Sequence, residues 1–131
     1  MRQIKFRGKE INTGEWVYGF YTQGCFIDPN TGKETIRHII HADFLHDVQP
    51  ETIGQFTGLK DKNGKEIYEG DILEVNYADE ESYLEVRFVR GVFAFLWNGD
   101  LDDEFPCNAP THEWARVVGN IYDNPELIRK R

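Results

Sequence analysis

Hydrophobic and polar side chains alternate along most of this 131-residue chain. Ile4 and Phe6, and then Trp16, Tyr18 and Phe20, recur at a spacing of two. That spacing is the period of a β-strand with one buried face. Apolar positions spaced by three or four residues, which would indicate helices, are nearly absent. The pattern predicts a mainly β protein that opens with a hairpin.

Turn residues divide the first 50 positions. The segment Asp28-Pro29-Asn30-Thr31-Gly32 predicts a turn, because proline presets the turn φ and glycine tolerates a positive φ. It separates a strand near 25–27 from another near 35–40. The segment 41–50 is ambiguous between a short helical turn and an irregular crossing to the second half.

Hairpin signals continue beyond residue 51. Asn63-Gly64 predicts a type I′ turn, which needs a positive φ at both central residues. Gly70-Asp71 predicts a tight turn that feeds a strand, and Arg90-Gly91 joins two strands within 82–97. A last strand at 117–122 precedes a short terminal helix that begins at Asn124-Pro125.

Five short strands with a bent middle favour an SH3-like, partly open barrel over 51–131, with the short helix at its end. Residues 1–50 form a smaller β-rich N-terminal lobe in this prediction. A hydrophobic content of 40% is enough for a core. No apolar run is long enough to span a membrane, and no apolar segment follows the basic start. A cytoplasmic location is expected, with Cys25 and Cys107 as free thiols.

Charge is unevenly distributed. The formal net charge is −8, and the basic and acidic residues of 1–50 cancel, so the excess of acids lies in 51–131. Acidic side chains crowd between Glu66 and Glu104. A field of that sign repels phosphate backbones and disfavours nucleic-acid binding through this half.

The sequence does not match the patterns of a phosphate-binding loop or a metal site. The segment 58–66 is one residue too long for a phosphate loop, and Glu66 replaces the required Ser or Thr. His38 and His41 point to opposite faces of an extended chain, so they do not converge on a metal, although an irregular 41–50 could bring His41, His46 and Asp47 together. His112 lies far away. No catalytic, cofactor-binding or metal-binding residue is predicted, and no cofactor.

Two sets of residues are candidates for partner binding. The first gathers around two turns at one rim of the predicted barrel: Gln55, Thr57, Lys60, Asp61, Tyr68, Glu69 and Asp71. The second combines a basic strand with aromatic platforms on which nucleic-acid bases stack: Arg2, Lys5, Arg7, Lys9, Trp16 and Tyr18. For the first set, core and turn-capping roles compete with binding.

Three motifs resemble the YopX family of small phage and prophage proteins: Ile4-Lys5-Phe6-Arg7-Gly8 with Glu15-Trp16-Val17-Tyr18-Gly19, the block 54–72, and Val118-Gly119-Asn120-Ile121-Tyr122-Asp123-Asn124-Pro125-Glu126-Leu127. The resemblance implies a C-terminal SH3-type barrel and a smaller N-terminal β lobe. It supplies no activity and no catalytic residue.

The expected function is a non-enzymatic phage accessory module that binds a protein of the host or the phage, or a second copy of itself through exposed strand edges. One alternative is nucleic-acid binding through the basic N-terminal strand. Another is an acidic surface that mimics nucleic acid and occupies a host protein. Membrane association is not expected.

Overall fold

The computed structural model describes residues 3–77, 80–106 and 111–129. Arg2, Cys107 and the side chain of His112 lie outside that description. The chain divides into two compact units, Met1–Gln55 and Phe56–Arg131. Antiparallel strands make up most of both units, which confirms the mainly β prediction.

The first unit is built from strands that pair in chain order: β1 (Phe6–Lys9), β2 (Trp16–Ile27), β3 (Glu34–His41) and β4 (Leu45–Asp47). β1 and β2 form the predicted opening hairpin, with Phe6 opposite Gly19. The strands expected near 16–20 and 25–27 are one continuous strand, β2. The ambiguous segment 41–50 contains β4, and a 3₁₀ turn follows at Pro50–Thr52.

A long ribbon of β2 and β3 is the main feature of this unit. The two strands pair from Phe20 opposite His41 to Ile27 opposite Glu34. The predicted turn at 28–32 closes the ribbon, with Asp28 N–H donating to the carbonyl of Lys33 at 2.9 Å. Ile39, Ile40 and Val48 are the buried hydrophobic side chains among the described residues of this unit.

The second unit begins within β5 (Gly54–Lys60), which pairs with β6 (Glu66–Tyr68). The further elements are β7 (Asp71–Tyr77), β8 (Glu80–Val89), β9 (Val92–Trp97), β10 (Glu104–Pro106), α1 (Thr111–Trp114), β11 (Ala115–Asn120) and α2 (Glu126–Arg129). Five of the strands form one sheet in the order β10-β9-β8-β7-β11. Within the described residues β10 and β11 do not pair, so this sheet is open and not a closed barrel. The short C-terminal helix is present as predicted.

One hydrophobic cluster holds the second unit together. Its fully buried members come from β6, β7, β8, β9 and β11: Ile67, Leu73, Val75, Leu84, Val86, Phe95 and Ala115. Burial of each large aliphatic or aromatic side chain contributes about 1.5–3 kcal/mol. The ring of Trp114 packs edge-on against Phe95, with 6.0 Å between the centroids.

The turn at Asn63-Gly64 differs from the prediction. Gly64 has a φ of 81°, but Asn63 does not have a positive φ, so the type I′ assignment is wrong. Gly64 N–H donates to the carbonyl of Asp61 at 3.0 Å, and Asp61 N–H to that of Lys65. This is the longer hairpin loop in which a glycine follows a type I turn. A positive φ at both central residues occurs instead at Arg90 and Gly91.

Candidate interaction surface

Asp61, a candidate at the predicted rim, is a structural anchor. The residue is only 2% exposed. Oδ1 accepts hydrogen bonds from the backbone N–H groups of Asn63 at 2.8 Å and Lys65 at 2.9 Å, and Oδ2 accepts from Val117 at 2.9 Å. Burial acts to raise the pKa of Asp61, but the three backbone donors outweigh it and hold the pKa below its usual value. The carboxylate thus joins the β5–β6 turn to β11.

Three further rim candidates also have partners inside the fold. Buried Asp71 accepts a hydrogen bond from the backbone N–H of Tyr68 at 2.8 Å, across the tight turn before β7. The Tyr68 ring is buried and packs against Phe56, with 5.5 Å between centroids. The Thr57 hydroxyl donates to the carbonyl of Ile67 at 2.8 Å. These contacts stabilise the two turns.

The remaining rim candidates are more accessible. Lys60 is exposed at the end of β5, and Glu69 is half-buried in the turn before β7. Gln55 is half-buried on β5, opposite Phe6 of β1. Contact between the rim residues and a partner stays a prediction.

The basic N-terminal strand is packed onto an aromatic ring. Arg7 is buried, and its guanidinium carbon lies 4.6 Å from the centroid of the Trp16 ring. Lys9 Nζ lies 5.7 Å from the same centroid. Both are cation–π distances. Lys5 is half-buried, whereas Tyr18 is exposed.

Exposed apolar side chains lie on one face of the first unit's sheet. We call it the outer face, and its exposed members are Tyr18, Phe20 and Phe26 of β2 and Leu45 of β4. Tyr18 is 47% exposed and Phe20 is 70% exposed. The expectation that this face of β2 is buried is therefore wrong. The buried side is the opposite one, where Val48 packs against Gly8.

Phe26 occupies a defined position on the outer face. Its ring lies across Gly24 on the same strand, where a side chain would meet Phe26 Cε2 at 2.6 Å. The Arg37 guanidinium carbon lies 4.5 Å from the centroid of the Phe26 ring. Arg37 also donates to Asp47 of β4, with 2.7 Å between Nε and Oδ1. The outer face is thus an ordered apolar surface edged by charged groups.

The described histidines do not converge. His38 Nδ1 lies 2.7 Å from the Tyr21 hydroxyl on one face of the ribbon, and His41 Nε2 lies 3.0 Å from the Thr22 hydroxyl on the other. His46 pairs with Glu10 through Nδ1 and with Asp43 through Nε2. Within residues 3–77, 80–106 and 111–129, no group of three or more His, Cys, Asp or Glu side chains is arranged to hold a metal ion.

The second unit contains an ion pair whose burial could not be predicted from the sequence. Glu85 of β8 is almost fully buried, and its Oε2 accepts from Arg87 Nε at 2.7 Å. Burial raises the pKa of Glu85, and the Arg87 guanidinium opposes that shift. Both residues line an open depression together with Glu69 and Tyr122. Alternation along β8 indicates that Glu85 and Arg87 share a face, but not that α2 packs on this strand.

Comparison with known proteins decides the family. The YopX protein family model matches residues 5–129. The chain belongs to the YopX family. Its fold is similar to that of protein EF1440 from Enterococcus faecalis, which is 29% identical, with a TM-score of 0.56 over 98% of this chain and 100% of that chain.

A second solved structure has a similar fold. Protein yopX from Bacillus subtilis is 21% identical, with a TM-score of 0.53 over 100% of this chain and 99% of that chain. Neither description names an activity, and no curated protein matches this YopX chain. Among the described residues, no helix has the length and apolar character needed to cross a membrane.

Proposed function

We propose that this member of the YopX family is a non-enzymatic accessory module, encoded by a phage or prophage and acting in the cytoplasm, that binds another protein through the outer face. The observation that carries the proposal is the exposure of Tyr18, Phe20, Phe26 and Leu45 on one face of a regular sheet. These side chains are exposed on strands, so their presentation needs no loop rearrangement.

Concentration of apolar surface in the first unit supports a protein partner. Nine of the twelve large hydrophobic side chains exposed in the described structure belong to Met1–Gln55. Contiguous exposed apolar patches on soluble proteins mark interaction sites, and aromatic side chains dominate the binding energy of interfaces. The partner would bury these rings and remove them from water.

The distribution of charge also favours the first unit as the part that contacts the partner protein. Its sequence has six basic and seven acidic residues, a net charge of −1, whereas the second unit has nine against sixteen, a net charge of −7. Proteins that carry a net negative charge are repelled less by the first unit.

A capture experiment tests the proposal. Tagged wild-type protein and the Phe20→Asp variant are used to capture partners from phage-carrying cells, with nuclease, and bound proteins are identified by mass spectrometry. Leu101→Asp is the matched control, because Leu101 is an exposed apolar residue of the second unit. We expect a nuclease-resistant partner that Phe20→Asp loses and Leu101→Asp retains. Equal retention by both variants would contradict the outer face as the contact.

Nucleic-acid binding is the second candidate, and one observation favours it. Arg7, Lys9 and Trp16 form one cluster at the edge of the outer face, next to exposed Tyr18. Cations beside aromatic rings suit single-stranded nucleic acid. Mobility shifts with single-stranded DNA and RNA at low salt test it. The candidate requires binding that weakens steeply with salt and is lost in Lys9→Glu.

The same capture experiment distinguishes binding through the outer face from the alternative in which the acidic surface mimics nucleic acid. A nucleic-acid-binding host protein that survives nuclease, tolerates Phe20→Asp and dissociates at high salt would favour mimicry by the acidic second unit.

A further inference from the structure

We propose that the end of the β2–β3 ribbon pairs edge to edge with the same ribbon of a second copy, so that the two β2 strands run antiparallel across a two-fold axis at Cys25. This inference rests on the proposed protein-binding function and names one partner of the first unit, a second copy of the chain.

The end of the ribbon lacks flanking strands in the described structure. β1 pairs with β2 only from Trp16 to Gly19, and β4 pairs with β3 only from Ile39 onward. Over residues 20–27 and 34–37 the two strands therefore pair only with each other in the described structure. A two-stranded ribbon is marginally stable in water, and an unpaired strand edge is a template for another strand.

Existing hydrogen bonds fix which backbone groups of β2 face outward. Asp28 N–H donates to the carbonyl of Lys33, so that position is a hydrogen-bonded pair. Hydrogen-bonded and non-hydrogen-bonded pairs alternate in an antiparallel ladder. The N–H and C=O groups of Tyr21, Gln23, Cys25 and Ile27 consequently point away from β3.

An independent contact on β3 agrees with this assignment. His38 is opposite Gln23, and its carbonyl accepts a hydrogen bond from Val48 N–H at 2.9 Å, on the side away from β2. The backbone groups of His38 and Gln23 thus both face away from the shared ribbon, as a non-hydrogen-bonded pair requires.

The available edge selects one symmetric register. Pairing Cys25 with Cys25 of the second copy places Gln23 opposite Ile27 and uses the three outward-facing residues nearest the end of the ribbon. An axis at Gly24 or Gln23 would also pair Tyr21, but it would bring the second copy to Phe20 or Gly19, where β1 already occupies this edge of β2. An axis at Ile27 leaves Gln23 and Cys25 without pairing partners. A two-fold arrangement closes as a dimer, whereas pairing β2 with β3 of the next copy continues into larger assemblies.

Side-chain chemistry is compatible with a second copy. Apolar residues are exposed on both faces of the ribbon: Phe26 on the outer face, and Ile27 and Ile36 on the other. A ribbon with apolar side chains on both faces gains from lateral extension of the sheet. The charged residues at its end, Asp28, Lys33, Glu34 and Arg37, sum to zero. Two ribbon ends therefore meet without net repulsion between them.

Charge exchange at Cys25 tests the register. All variants carry Cys107→Ser, and sedimentation velocity is measured up to about 100 µM, a range that detects micromolar association. We expect a monomer–dimer equilibrium for this background and for Cys25→Ser. Cys25→Lys and Cys25→Glu each place like charges opposite one another, and each should weaken the dimer about fivefold. An equimolar mixture of the two should recover the dimer.

Each outcome decides the proposal. A monomer at every concentration, assemblies larger than a dimer, or a dimer insensitive to both charge variants would overturn it. Cross-strand pairs place Cα atoms about 5.5 Å apart, within reach of a disulfide, so oxidation should also link Cys25 to Cys25 in a dimer on a non-reducing gel. Phe20 lies outside the predicted pairing. Loss of capture by Phe20→Asp with an intact dimer would therefore separate the two functions.

Discussion

The carbonyl oxygen of His41 lies 1.9 Å from the position that a Cβ on Gly19 would occupy. This backbone contact, at the base of the ribbon, requires glycine for space and not for φ. Gly19→Ala must displace β3 and should destabilise the protein by about 3 kcal/mol. Urea unfolding followed by circular dichroism measures the change.

Gly32→Ala is the control for that experiment. Gly32 has a φ of 72° and nothing within 4 Å of its added Cβ. It therefore isolates the cost of the left-handed backbone, about 1 kcal/mol. An unfolding midpoint for Gly19→Ala at or above that of Gly32→Ala would contradict the predicted clash.

Removal of the charge at Asp61 should weaken the second unit. Asp61→Asn keeps the shape but replaces an acceptor oxygen by an NH₂ group, which faces a backbone donor. We expect a loss of about 3 kcal/mol in the free energy of unfolding. Asp28→Asn is the matched control, because Asp28 Oδ1 accepts one bond, from Asn30 N–H at 2.8 Å, in an exposed turn. A similar small effect for both variants would count against the anchoring role.

The same carboxylate predicts an acid transition. The pKa of Asp61 is lowered in the folded state from an ordinary value of 3.8. Its stabilisation is thus fully present above pH 4 and is lost as pH falls through the folded-state pKa. The difference in unfolding free energy between wild type and Asp61→Asn should shrink below about pH 4. A difference that is constant from pH 7 to pH 3 would refute this linkage.

Loss of Arg87 should leave a buried charge at Glu85. Arg87→Gln removes the guanidinium that opposes the effect of burial, so we expect a cost of about 2 kcal/mol at pH 7, below the usual value for buried pairs because Arg87 is partly exposed. Protonation of Glu85 relieves this cost, and the deficit should decrease toward pH 5. Arg116→Gln breaks a more exposed pair with Glu74 and should cost less than about 1 kcal/mol.

Protonation of His46 should stabilise the first unit. Hydrogen bonds to Asp43 and then to Glu10 raise its pKa above 6.5. The resulting stabilisation is fully present below pH 6.5 and is lost as pH rises through the raised folded-state pKa. An NMR titration of the His46 ring measures that pKa, and Asp43→Asn should lower it. A titration midpoint unchanged by Asp43→Asn would exclude the hydrogen bond as the cause.

Sequence patterns predicted the strands and most hairpins, because alternation and turn residues are local signals. Turn type was less predictable. Asn63-Gly64 satisfies the type I′ rule by composition, but the Asp61 carboxylate holds the neighbouring N–H groups in a different loop. Arg90-Gly91, a weaker sequence signal, has a positive φ at both residues. Long-range hydrogen bonds override the local preference.

Burial and function were harder to predict than strands. A period of two shows which residues share a face, but Tyr18 and Phe20 belong to the exposed face and Ile40 and Val48 to the buried side. Which side is covered depends on distant packing. The role of polar residues at turns is equally hard to predict from sequence, because the residue types that bind partners also cap backbone groups. Contacts with Tyr68 N–H for Asp71 and with Val117 N–H for Asp61 become visible only in three dimensions.

The link from Asp61 to Val117 spans 56 residues and has a consequence for how the chain folds. During synthesis the β5–β6 turn emerges long before β11. The Asp61 carboxylate therefore lacks one of its three hydrogen-bond donors, Val117 N–H, until β11 has been made. The hydrogen bond from Lys62 N–H to the carbonyl of Ala115 cannot form before then either. Contacts of such large sequence separation form slowly, because the intervening chain must first lose entropy. The second unit should therefore reach its native state only after its last strand leaves the ribosome, in a single late step.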